Sequence, residues 1–167
     1  TTYYEKIQEG VLDSGVNIKA WEVLDDLEKK IASAFAERRL KEANFEVYIH
    51  HAVDYMDQVD QELQALGGGL LVVRSQGGVI GVANTAMDQD EHLITELICQ
   101  SGKGQVVLEA VLEYLHADKI TVEDSYFIQN LQGDHVTQIK QKKPYIMAKY
   151  TNGRKLEPFF CYINDIT

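Results

Sequence analysis

Residues 91–115, EHLITELICQSGKGQVVLEAVLEYL, begin as an alternating strand, end as an aliphatic helix, and carry Gly102, Lys103 and Gly104 at the join. HLITELICQ, residues 92–100, has the period-two pattern of a strand. Val107, Val111 and Tyr114, with Val106 and Ala110 beside them, form one face of a helix predicted over 105–116. A further short apolar run, KITVED at 119–124, follows. Strand, helix, strand in that order implies a crossover connection and a parallel pairing.

Upstream lie LLVVRS from Leu70, a Gly77-Gly78 turn, VIGVANTAM from Val79 and an acidic turn, DQDE, before the strand that begins at His92. Three strands joined by such short turns form an antiparallel meander. Two amphipathic helices are predicted before it. The first covers 18–40, on Trp21, Leu24, Leu27, Ile31 and Phe35. The second runs on Ala52, Met56, Val59, Leu63 and Leu66 and is stopped by Gly67, Gly68 and Gly69. The tail reads as a hairpin of PYIMAKY and KLEPFFCYI about Asn152-Gly153, and residues 123–143 as two short helices broken at Gly133. At 167 residues and 45% hydrophobic the chain has the size of a single α/β (α+β) domain spanning 1–167.

Against 16 basic residues stand 26 acidic ones, a formal net charge of −10. That field opposes a non-specific grip on nucleic-acid phosphates and suits a cationic ligand or partner. Cys99 and Cys161 lie in apolar runs with no Cys or His at metal-ligand spacing, so they read as buried thiols and no metal is expected. No membrane span or signal peptide is evident, and the cytoplasm is the expected compartment.

A glycine-rich turn at a helix N-terminus offers backbone N–H groups and a partial positive charge to an anion. The spacing excludes a Walker A loop and a dinucleotide fingerprint. It suits a pyrophosphate bound without magnesium.

With the order of elements (two helices, meander, glycine turn, helix, parallel strand, hairpin), GKGQVVLEAVLEYL at 102–115 resembles the GNAT N-acetyltransferase superfamily, as a divergent member. The resemblance implies a GNAT-like mixed sheet and acetyl- or another acyl-coenzyme A as cosubstrate. The cosubstrate would meet Ile98, Gln100, Gly102, Lys103, Gly104 and Gln105. The family's turn has Arg or Gln three residues before its first glycine; here Cys99 holds that position and Gln100 adjoins it.

Direct acyl transfer to an amine requires a base for the ammonium proton and a donor for the leaving thiolate. Glu96, grouped by strict alternation with His92, Ile94, Ile98 and Gln100, is the candidate base, and the resemblance points to the same residue. His92 lies about 13 Å from it along an extended strand. His50 and His51 project apart at a helix start and read as surface histidines. The family's acid, often a tyrosine, would fall on Lys140, near Tyr145, so Tyr126 is the alternative acid. Lys140, Lys142 and Lys143 are candidates for the coenzyme's 3′-phosphate.

The expected activity is therefore acyl-coenzyme A dependent N-acylation, with an amine-bearing small molecule or protein as acceptor. Neither nucleic acid nor membrane is expected as partner; a homodimer stays open. The alternative is an inactive GNAT-like binding or inhibitor protein acting through Asp25, Asp26, Asp57 and Asp60, or a structural subunit of an assembly.

Overall fold

A computed structural model describes residues 2–5, 15–45, 47–123, 126–128, 131, 136–138 and 161–162. The meander is as expected: β4 (Gly69–Ser75), β5 (Gly78–Asp88) and β6 (Glu91–Cys99) pair antiparallel in sequence order. The hairpin between β5 and β6 turns on Gln89 and Asp90 with φ of 48° and 67°, the doubly left-handed backbone whose twist matches flanking strands. After β6 come α3 (Gly104–Tyr114) and β7 (Lys119–Val122), which pairs parallel with β6. The β-α-β unit and the mixed sheet are thus observed.

Three strands extend this sheet that the sequence pattern did not reveal. β1 (Thr2–Glu5) lies antiparallel to β7 on one side and to β8 (Val136–Gln138) on the other. β2 (Asn17–Ala20) pairs antiparallel with β4. Among the described residues the strand order is β2-β4-β5-β6-β7-β1-β8. β2 and a 3-10 turn at Trp21–Val23 replace the start of the helix predicted from residue 18, and α1 runs over Asp26–Glu42. β8 likewise falls where a helix was expected. A two-stranded parallel pair joins β3 (Val47–Tyr48) to β9 (Cys161–Tyr162). The predicted turn at Asn152-Gly153, and Lys140, Lys142, Lys143 and Tyr145, lie outside the described residues.

α1 starts at a reciprocal capping box. The Asp25 carboxylate accepts the Glu28 N–H at 2.8 Å, and the Glu28 carboxylate accepts the Asp25 N–H at 3.2 Å. Its core face differs from the predicted stripe. Ala32, Ser33, Phe35, Ala36 and Leu40 are buried, whereas Leu27 is 65% and Ile31 41% exposed. Small side chains face the sheet where helix backbone and strands approach. α2 (Val53–Ala65) buries Met56, Val59 and Leu63 as its spacing predicts, while Leu66 at its end is exposed. Gly67, at φ 77°, closes α2 with paired bonds, Gly68 N–H to Leu63 O and Gly67 N–H to Gln64 O, the glycine-dependent Schellman ending.

The sheet separates two cores. On one face Trp21, Phe35, Leu40, Met56, Leu63, Val72, Val82 and Ile98 pack with α1 and α2. On the other Leu71, Val73, Ile80, Ala83, Ile94 and Leu97 pack with Val107, Leu108, Val111 and Leu112 of α3.

Candidate functional site

Glu96 owes its direction to a break in the strand. Asn84 pairs with Glu96 but Thr85 pairs with Ile94, leaving Thr95 as an extra residue on β6. Such a bulge reverses the alternation beyond it. Ile94, Leu97 and Cys99 therefore point into the α3 core, and Ile98 into the α1/α2 core. Glu96 shares the face of Ile98 and is separated by the bulge from Ile94 and His92, so the expectation that all four line one face is corrected. His92 instead lines a depression with Ala117 and Lys119 at the other end of β6.

The chain that enters α2 supplies Glu96's partner. His51 is only 3% exposed, so its reading as a surface histidine is also corrected. Two polar side chains of α1 hold this segment: Ser33 Oγ donates to the His51 carbonyl at 2.6 Å, and a Glu37 carboxylate oxygen accepts the His51 N–H. His51 Nδ1 lies 2.8 Å from the Ile49 carbonyl, and Nε2 lies 2.8 Å from Glu96 Oε1. Asn84 Nδ2 donates to the same Oε1 at 3.3 Å. Burial pushes the His51 imidazole toward its neutral form, but the hydrogen bond and charge of Glu96 outweigh it and raise its pKa above the ordinary value. Glu96, also 3% exposed, keeps its second oxygen, Oε2, without a hydrogen-bond partner among the described residues. An uncompensated buried carboxylate oxygen costs a domain about 1–3 kcal/mol or more, so such an atom calls for an explanation.

Beyond Ile94 the parallel strands part. Their register covers only Leu93–Thr121 and Ile94–Val122, extended by the Glu123 N–H to Ile94 O bond of 2.9 Å. β6 continues toward the glycine turn, while the chain after β7 forms a 3-10 turn at Tyr126–Ile128. A cavity of about 380 Å³ opens here, lined by Gly102, Gly104, Gln105 and Tyr126 together with Arg39, Glu42 and Ser101. Four of the predicted site residues are thus brought together. Glu96 and Ile98 are not on that lining, and Ile98 is wholly buried. Gln100 and Lys103 are exposed, and the Lys103 N–H donates to the Gln100 carbonyl at 3.0 Å.

The two glycines differ. Gly102 has φ of 74°, and a Cβ there would meet nothing within 4 Å. A Cβ on Gly104 would stand 2.9 Å from Ile128 Cγ2, so this glycine admits Ile128 against the first turn of α3. Tyr126 stacks near Phe45 and Phe127, with ring centroids 4.7 and 5.0 Å away. Arg39 donates from Nε to the Cys99 carbonyl at 2.9 Å, lies over the Phe127 ring and pairs with Glu42. Arg39 was not singled out from sequence, since nothing local marks it apart from the other basic residues of α1. The first turn of α3 has no side-chain cap at Lys103, so its N–H dipoles face the space and suit an anionic group, while the charge of Arg39 is shared with the Glu42 carboxylate on the same lining.

Three of the four acids proposed for an acidic docking surface serve the fold. Asp25 caps α1, Asp57 accepts from Trp21 Nε1 at 2.7 Å and Lys29 Nζ at 2.6 Å, and Asp60 is buried with the Leu70 N–H at 2.8 Å. Among the described residues no helix is long and apolar enough to cross a membrane.

No family model matches the chain, and no curated protein matches it. Among solved structures it is similar to the ribosomal-protein-S18-alanine N-acetyltransferase from Escherichia coli, at 16% identity and a TM-score of 0.37 over 60% of this chain and 56% of that one. It is also similar to a GNAT family acetyltransferase from Staphylococcus aureus, at 12% identity and a TM-score of 0.44 over 76% of this chain and 98% of that one. The chain thus spans little more than half the length of the first of these. Neither likeness bears on which residues act, which are read from the geometry above.

Proposed function

We propose that the protein is an acyl-coenzyme A dependent N-acyltransferase acting on an amine, with acetyl as the first acyl group to test. The observation that carries this reading is Glu96: a buried carboxylate with one oxygen unpartnered among the described residues, on the strand that runs directly into the glycine turn. A donor group fits such an oxygen, and an ammonium group supplies one together with a proton to give up. In this reading Glu96 Oε2 takes that proton. The amides at the start of α3, with Gly102 and Arg39, hold the anionic end of the cosubstrate. Lys103 and Gln105 border it, and Ile98 and Gln100 contribute through the strand that leads there. Tyr126 Oη holds a proton at the cavity. A bound acyl-coenzyme A would supply the activated thioester.

Gly102→Asp tests the anion site. Gly102 has open space around it and a left-handed φ that aspartate tolerates better than most residues. The substitution costs folding the strain of a side chain in the left-handed region, on the order of 1 kcal/mol, and places a carboxylate where phosphate charge would sit. Calorimetric titration with acetyl-coenzyme A is expected to show binding to the wild-type chain and at least about tenfold weaker binding to the variant, a difference of about 1.4 kcal/mol. Equal affinity would remove the turn from the site, and no binding to the wild type would remove the cosubstrate.

A further inference from the structure

The contact between His51 and Glu96 fixes a proton count. A carbonyl oxygen can only accept, so the 2.8 Å contact to Ile49 requires a hydrogen on His51 Nδ1. The second ring nitrogen and Glu96 Oε1, also 2.8 Å apart, need one hydrogen between them. Either an imidazolium faces a carboxylate or a neutral imidazole faces a carboxylic acid. The two descriptions contain the same single proton. Asn84 Nδ2, donating to the same Oε1, favours negative charge on that oxygen and hence the imidazolium form.

We propose that His51 is a positioning residue: with Glu96 it forms a one-proton pair in which Oε1 is engaged and Oε2 is left as the acceptor for a primary ammonium group. This rests on the N-acyltransferase reading for its substrate, though the shared proton does not. When R–NH3+ gives up a proton it becomes R–NH2, the proton bonds to Oε2, and the pair then holds two protons. Oε1 keeps its bond to the imidazolium throughout, so the carboxylate accepts without rotating. Among the described residues, the charged or titratable groups in contact with His51 are Glu96 from β6, Glu37 from α1, whose carboxylate accepts the His51 N–H, and Tyr55 from α2, whose ring lies 5.4 Å away. From β5 Asn84, which is uncharged, reaches the same Glu96 oxygen. Both acids favour the imidazolium, and burial alone opposes it.

The test is nitrogen-detected NMR of histidine in the full-length chain, titrated with pH, with exposed His116 as internal reference. In the wild type, His51 should show two protonated ring nitrogens, and its midpoint should lie above that of His116. In Glu96→Gln, with the attracting charge removed, burial should drop the His51 midpoint below that of His116. A wild-type midpoint at or below that of His116, or one unmoved by Glu96→Gln, would overturn the pair.

His51→Gln supplies a kinetic readout, because its amide can still donate to Oε1 but carries no charge. Coenzyme A thiol release with a primary amine should persist, with the acid limb of its pH profile moved upward because the base has lost a neighbouring positive charge. An unmoved limb would reduce His51 to packing. If the wild type shows the NMR signature but releases no thiol with any amine tested, the ammonium acceptor role and the N-acyltransferase reading fail together, and the shared proton alone stands.

Discussion

The two faces of the sheet are built from the same three meander strands and use them differently. Toward α3 the strands present Leu71, Val73, Ile80, Ala83, Ile94 and Leu97 to an aliphatic helix face, an interior held by apolar burial. Toward α1 and α2 the same strands present Asn84 and Glu96 beside the hydrophobic cluster, and α1 answers with Ser33 and Glu37 and the chain entering α2 with His51. One inserted residue, Thr95, decides which face receives Glu96. The difference teaches that the α3 face supplies stability insensitive to protons, while the opposite face couples its folding to them.

The sharpest way to break this comparison is to remove one partner from the polar face. His51→Ala leaves a buried carboxylate with Asn84 as its remaining described donor, and should lower stability near neutral pH by about 3–5 kcal/mol, as measured by denaturant unfolding. The loss should shrink in acid, where a charge left unpaired by the substitution is neutralised. A loss independent of pH would mean that the histidine acts by volume alone. On the other face, Leu108→Ala deletes a fully buried side chain of α3 and should cost about 2–5 kcal/mol. Here the cost should be the same from pH 5 to 8, and the His51 NMR titration should not change.

The wild type sharpens the same contrast. The His51 pKa is raised on folding, so the stability it contributes is fully present below the ordinary histidine value of about 6.5. It is lost as pH rises through the folded value. Urea midpoints should therefore fall over that upper window in the wild type, and the fall should vanish in His51→Ala; a midpoint that rises there would contradict the sign. The smallest effect expected concerns coupling. His51→Ala and Leu108→Ala lie on opposite faces and share no partner recorded in the structure, so their costs should add to within about 0.3–0.5 kcal/mol. A larger deviation would show that the sheet transmits between its faces.

The legible parts were those in which local pattern and tertiary role agree. Alternation, two-residue turns and the glycine join located β4, β5, β6 and α3, and the glycine triplet located the end of α2. β2 was missed because Ile18, Trp21 and Leu24 also carry a helical spacing, and only pairing with β4 makes residues 17–20 extended. β1 and β8 are short strands defined by one another and by β7. Glu96 was found as a carboxylate in a strand, but its direction was not, since strict alternation cannot register the extra Thr95. His51 escaped for a related reason: its partner is 45 residues away, and a histidine before a helix looks the same whether it faces solvent or a carboxylate. The Gly102–Gly104 pair was recognised as a turn, while the packing of Ile128 on Gly104 depends on the chain beyond β7.

The most direct test of the acyltransfer reading is release of the coenzyme A thiol from acetyl-coenzyme A in the presence of a panel of primary amines, with the wild type and Glu96→Gln compared at neutral pH. The account predicts release by the wild type with at least one amine, a loss of roughly 100-fold or more in the variant, as is typical of a general base, and unchanged acetyl-coenzyme A affinity. Equal rates for the two proteins, or cosubstrate binding without release for every amine, would contradict it.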